Sequence, residues 1–188
     1  MDTLRKYNER IYISSILCDL SYNFYSNIFN ISLLPTILGS SLLTILNSSE
    51  VPSDIMKIIN ISINGANTLI LALMNSYKIS DRLNLFKNYK IKFTKLNHLC
   101  ESIINRSDID SMPSGELKTT IDNIINEFDK LQEELIYQYP SHIRKKVIKR
   151  FGSTHTLPNS LEIENNLNLK SEYVLRTSSS AVHKLNEV

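Results

Sequence analysis

Two stretches of this chain, Leu20–Ser49 and Ile58–Tyr77, contain no Asp, Glu, Lys or Arg, and one short charged turn separates them. A helix rises about 1.5 Å per residue, so about 20 residues cross the roughly 30 Å hydrocarbon core of a bilayer. Each stretch is long enough to do so. The first span, about 28–47, contains IFNISLLPTILGSSLLTIL, and the second, about 57–77, contains IINISINGANTLILALM. Between them NSSEVPSD carries Glu50, Pro52 and Asp54, a turn composition. The spans are laced with Asn, Ser, Thr, Gly and Pro35, and each Asn opposes insertion. They read either as a transmembrane hairpin or as two buried helices of a soluble bundle.

The polar residues of the spans fall in stripes. Ser32, Thr36, Ser40 and Thr44 recur at i+4, and Asn60, Asn64 and Asn67 share a face. A fold about Pro52 sets Gly39 opposite Gly65, Ser40 opposite Asn64, Thr44 opposite Asn60 and Thr36 opposite Thr68. Transmembrane helices associate through such small and polar faces. The same residues would serve a self-satisfied hairpin interface or the lining of a pore in an oligomer.

The pairing extends beyond the spans. Leu4, Ile11, Cys18 and Tyr25 recur every seven residues, as do Ile79, Phe86, Phe93 and Cys100, the signature of a coiled-coil seam. The same fold about Pro52 pairs Leu4 with Cys100, Ile11 with Phe93, Cys18 with Phe86 and Tyr25 with Ile79. The expectation is a long antiparallel hairpin, residues ~3–48 and ~55–105, with a water-exposed stalk. Leu117, Ile121, Ile124, Phe128, Leu131 and Leu135 form the apolar stripe of a third, amphipathic helix that closes the stalk. Tyr139-Pro140-Ser141 breaks it, and Ser141 is expected to cap a fourth helix, His142–Phe151. From Ser153 to Val188 apolar residues are sparse, which reads as a polar, flexible tail. Residues 1–152 are therefore expected to be one hairpin-plus-bundle domain.

No catalytic or metal chemistry stands out. Four glycines, Gly39, Gly65, Gly115 and Gly152, cannot build a phosphate-cradling loop. His98, His142, His155 and His183 lack zinc-ligand spacing with one another or with Cys18 and Cys100. The two cysteines read as apolar core residues of a reducing compartment. Glu133-Glu134 reads as a solvated helix face, and acid–base pairs require tuned burial. A net charge of +2 argues against a general nucleic-acid field. The start of the chain, MDTLRKYNERIY, is polar for too long to be a signal peptide.

Charge does orient the spans. Arg5, Lys6 and Arg10 precede the first; Lys78, Arg82, Lys87, Lys90, Lys92 and Lys95 follow the second. The positive-inside rule then puts both termini in the cytoplasm and the turn outside or in a lumen. In the fourth helix Arg144, Lys145, Lys146, Lys149 and Arg150 oppose an apolar face of Ile143, Val147 and Phe151. Such a helix is a candidate for contact with an anionic leaflet. The bland reading is a solvated helix that packs on the bundle.

Three stretches carry a family resemblance: ISINGANTLILALMNSYKISDRLNLFKNYKIKF, ELKTTIDNIINEFDKLQEELIYQ and YPSHIRKKVIKRFGS. Their order of span, charged helix, amphipathic helix and basic segment resembles the SLATT domain, the SMODS and SLOG-associating two-TM effector domain. More specifically it resembles the stand-alone members encoded by large DNA viruses, over roughly Arg5–Gly152. The motifs are loose helical patterns without a catalytic signature. The resemblance implies a two-span membrane protein with an effector-like, pore-forming or membrane-disrupting role, placed in a host or virion membrane.

Together these readings give an all-α, non-enzymatic protein without cofactor, small-molecule substrate or nucleic-acid partner. Its expected partners are the lipid bilayer and further copies of itself. The alternative is a non-enzymatic soluble helical-bundle interaction or scaffold protein with a buried apolar hairpin.

Overall fold

A computed structural model describes residues 2–48, 52–105, 114–135, 138–159 and 161–166. The described residues are helical with no strand, in the order α1 (Asp2–Asn47), α2 (Ser53–Ser76), α3 (Ile79–Ile104), α4 (Ser114–Leu135) and α5 (Ser141–Phe151). A further helical stretch covers 161–166. The turn residues 49–51, the breaker at 106–113 and residues 167–188 of the polar tail lie outside the description. The chain divides into two compact units, Asp19–Asn88 and the combination of Met1–Cys18 with Tyr89–Val188.

α1 is a single helix of 46 residues with Pro35 inside it. Proline lacks an N–H, so the carbonyl of Ile31 has no i+4 donor there. The second arm of the expected hairpin differs from the sequence reading. It is not one helix over ~55–105 but two, broken at Tyr77-Lys78. The physical cause is local: Lys78 adopts φ 49°, the left-handed region, and its N–H bonds the carbonyl of Asn75 at 3.0 Å. A helix cannot continue through that conformation. The carbonyl of Lys78 accepts from the N–H of Arg82 at 3.0 Å as α3 begins.

The unit of Met1–Cys18 and Tyr89–Val188 has a conventional apolar core. Leu4, Ile11, Cys18, Phe93 and Cys100 of the heptad series are buried, as are Ile124, Phe128, Leu131 and Leu135 of α4. Phe128 meets both Tyr7 and Phe93 edge-on, with ring centroids 5.8 and 6.0 Å apart. α1 also buries a second row, Ile13 and Leu17. Packed structure continues past Gly152, where a flexible tail was expected: Leu157, Pro158 and Leu161 are buried. Polar ties hold that stretch, with Glu9 accepting from the N–H of Thr156 at 3.0 Å and Arg10 meeting Glu162 at 3.5 Å. α5 begins at Ser141 with Pro140, not Ser141, as its N-cap and no side-chain cap bond.

In the unit Asp19–Asn88, Tyr25, Leu43, Met74, Ile79 and Phe86 are the buried apolar residues. Tyr25 stacks on Phe86 at 5.7 Å and its hydroxyl accepts from Arg82 at 2.7 Å.

A non-glycine residue in the left-handed region costs about 1–2 kcal/mol, and a β-branched residue there costs more. Lys78→Val is expected to lower stability by at least about 1 kcal/mol, and Lys78→Gly to leave it unchanged or raise it by up to about 1 kcal/mol. Urea unfolding followed by circular dichroism checks the order of the two variants.

Candidate functional site

The chemistry of the unit Asp19–Asn88 lies in how its charge-free spans dispose of polar groups. Among the half-buried and buried positions of α1 past its midpoint, Phe29, Ser32, Thr36, Gly39, Leu43 and Leu46 form one row, beside Tyr25, Ser26, Ile28 and Leu33. In α2 the row is Met56, Asn60, Ile63, Asn67, Ile70 and Met74, beside Ile59. Both rows step by three or four residues, the spacing of a knobs-into-holes seam. Outside the rows stand large apolar side chains, Ile31 and Ile61 among them at 72% and 73% exposure.

The ten candidate polar and small residues therefore separate. Ser32, Thr36, Gly39, Asn60 and Asn67 lie on the seam rows; Ser40, Thr44, Asn64, Gly65 and Thr68 are exposed. The register is not the one expected. A Cβ built on Gly39 would sit 3.0 Å from Ile63 and 3.4 Å from the Asn67 amide oxygen, not against Gly65, which has nothing within 4 Å. The Asn67 amide donates to Ser40 Oγ at 3.4 Å, where Asn64 was expected. The physical reason is packing: with Gly39 opposite Ile63, the bulky side chain fills the space that two glycines would leave open.

Several hydroxyls of the spans are satisfied inside their own helices, whereas the buried Ser21 hydroxyl has no hydrogen-bond partner among the described residues. Ser40, Ser41 and Thr44 donate to the carbonyls of Thr36, Ile37 and Ser40 at 2.8, 2.9 and 3.0 Å. Thr36 donates to Ser32 O at 3.3 Å and Thr68 to Asn64 O at 2.8 Å. This back-bonding lets a hydroxyl face an apolar medium without an external partner.

The basic helix α5 differs from an interfacial amphipathic helix. Its apolar residues Ile143, Val147, Ile148 and Phe151 are buried in the core of their unit, so none is free to enter a bilayer. Lys145, Lys146, Lys149 and Arg150 are exposed, whereas Arg144 pairs with Glu164 at 3.5 Å. What α5 offers to a surface is charge alone.

Some buried polar groups of the same unit are tied in pairs, whereas Asn8 Oδ1, Asn97 Oδ1 and the Nε atoms of Arg10 and Arg144 are buried without a hydrogen-bond partner among the described residues. Gln132 donates to the buried Ser14 hydroxyl, which itself bonds the carbonyl of Arg10 at 2.8 Å, and Tyr89 donates to Glu134. Cys18 Sγ and the Tyr139 hydroxyl lie 3.5 Å apart. Burial pushes Tyr139 well above its ordinary value, with Cys18 adding to the rise, and pushes the Cys100 thiol up to about 11. Burial also raises Asp129, opposed by Arg10. Sequence reasoning missed the Cys18–Tyr139 contact and the docking of residues 156–166. The available signals were Tyr139 before a proline, and Leu157 and Leu161 at i+4.

An open groove of about 610 Å3 borders residues 152–157, lined by Glu9, His155, Glu162 and Asn165 among others. Its carboxylates are already engaged, Glu9 with the Thr156 N–H and Glu162 with Arg10. Among the described residues no three metal-ligating side chains converge. Comparison of the chain with protein-family models, curated proteins and solved structures gives no match.

The unfolded chain ionises Cys100 near 9.0 and the folded chain near about 11, so across that interval the unfolded state holds fewer protons and stability falls as pH rises. The unfolding midpoint is expected to decline from about pH 9 to about pH 11, more gently in Cys100→Ala. Urea titrations at fixed pH measure it, and a midpoint indifferent to pH in that range contradicts the assignment.

Proposed function

We propose that this chain is a two-span membrane protein that self-associates and either conducts across a membrane or perturbs it, in an effector-like role. The observation that carries the reading is where the apolar side chains stand. Of the most apolar stretch of each candidate span, 6% of residues in α1 and 0% in α2 are buried. A core helix of a soluble protein hides such residues. Here Ile31, Leu34, Ile37, Leu38 and Ile45 of α1, with Ile55, Ile58, Ile61 and Leu69 of α2, are exposed. The alternative of a soluble scaffold with a buried apolar hairpin would need all of them covered by another protein.

In this reading the second half of α1 and α2 form an antiparallel transmembrane hairpin. The contacts of Tyr25 with Arg82, Ser40 with Asn67 and Gly39 with Ile63 support that direction. The excess of Lys and Arg outside the turn favours cytoplasmic termini, in a multi-pass topology. The exposed cations of α5 would meet an anionic leaflet electrostatically, at roughly 1 kcal/mol per residue near the surface. The resemblance to stand-alone viral SLATT-like proteins favours a host or virion membrane. No enzymatic step is assigned.

The expected outcome of fractionation is a pellet that resists carbonate and releases protein into detergent. A Ser53→Cys variant should react with an impermeant thiol reagent only from the side opposite the termini. Vesicles holding the reconstituted protein should lose a small trapped dye. Protein that stays in a detergent-free supernatant contradicts the membrane reading, and vesicles that hold their dye contradict conduction.

A further inference from the structure

The polar residues of α2 are not equivalent. Asn67 sits on the seam and spends its amide on Ser40. Asn64 is exposed, and among the described residues its side chain makes no hydrogen bond; only its carbonyl is engaged, by Thr68. At 100° per residue, the face of Ile61, Asn64, Gly65, Thr68 and Ala72 is centred about 140° round the helix from the seam row, with Asn64 at its near edge, about 80° away, and Gly65 at its far edge, about 180° away. Every one of those five residues is exposed. The Thr68 hydroxyl closes onto its own backbone, which a primary amide with two donors and an acceptor cannot fully do.

Asn64 lies about 10 Å along the helix from Lys57, at 1.5 Å per residue, and so inside the hydrocarbon of a span that begins there. An unpartnered amide at that depth costs free energy that lipid tails cannot offset. Beside it Gly65 has nothing within 4 Å of where a Cβ would stand. Glycine inside a helix is unfavourable against alanine, and here no neighbour in the chain makes use of the space.

We infer that the Asn64–Gly65 face of α2 is the surface through which a second copy of this chain binds in the membrane, by a reciprocal Asn64–Asn64 amide contact over the Gly65 notch. The inference rests on the membrane reading above and names the partner and face of the self-association proposed there. The occupant is a second copy because a carboxamide donates and accepts at once. The face is thereby complementary to itself, as a two-fold contact between like chains requires. The bare backbone at Gly65 lets the neighbouring helix approach closely enough for the amides to meet. The two asparagines then do different work, Asn67 within a chain and Asn64 between chains.

The test uses the full chain, labelled with donor and acceptor fluorophores and reconstituted into phosphatidylcholine vesicles over a range of protein-to-lipid ratios. Flotation is measured on the same samples. Asn64→Leu is expected to raise the protein-to-lipid ratio at half-maximal energy transfer by about 3- to 30-fold, the worth of one interhelical polar contact in lipid. Gly65→Leu should weaken transfer similarly, Asn64→Gln should restore most of it, and Asn67→Leu should leave it within about twofold. Floating Asn64→Leu protein with wild-type transfer overturns the inference alone. Equal loss in Asn64→Leu and Asn67→Leu also overturns it. Wild-type protein that does not float overturns the membrane reading and this inference with it.

Discussion

On the membrane reading proposed above, a helix that turns isoleucine and leucine outward along charge-free spans has to satisfy its polar groups without water, and the hydrogen bonds of residues 19–88 are consistent with that constraint. Serine and threonine return their hydroxyls to carbonyls one turn back, as Ser40, Ser41, Thr44 and Thr68 do. Asn67 reaches across the seam to Ser40. Gly39 brings the backbone close enough for Ile63 to fill the gap. Each of these moves removes a polar group or a void from the outer surface, and what remains outside is mainly hydrocarbon.

The unit of Met1–Cys18 and Tyr89–Val188 instead gathers most of its apolar side chains into a core, with Tyr12, Ile91, Leu99 and Ile163 left exposed. Tyr139 against Cys18 and Ser14 under Gln132 place polar atoms in an otherwise apolar core. The stretch 156–166 is held by Glu9, Arg10 and Arg144, and it buries Leu157, Pro158 and Leu161. The same arrangement explains why α5 is basic outside and apolar inside without being an inserting helix.

Much of this was legible in the sequence because it is periodic. The heptad of Leu4, Ile11, Cys18 and Tyr25 and the stripe from Ile124 to Leu135 mark buried positions that the structure bears out. Which residue meets which was less legible. A fold about Pro52 with an even register put Gly39 on Gly65, yet seam packing is decided by volume, and Ile63 fits where a second glycine would leave a hole. The break at Lys78 was hidden because no proline or glycine marks it; a lysine takes the left-handed conformation instead. The docked stretch after Gly152 was masked by its polarity, since two leucines and two ion pairs carry the contact.

The account stands on one claim, that the exposed side chains of α1 and α2 face hydrocarbon while the seam faces neither lipid nor water. Nitroxide labels placed one at a time at Ile31, Ile61, Gly39 and Ile63, in the protein reconstituted into bilayers, measure it directly. The account predicts relaxation by oxygen and not by a water-soluble nickel chelate at Ile31 and Ile61, and weak relaxation by both at Gly39 and Ile63. Relaxation by the nickel chelate at Ile31 and Ile61 would contradict it.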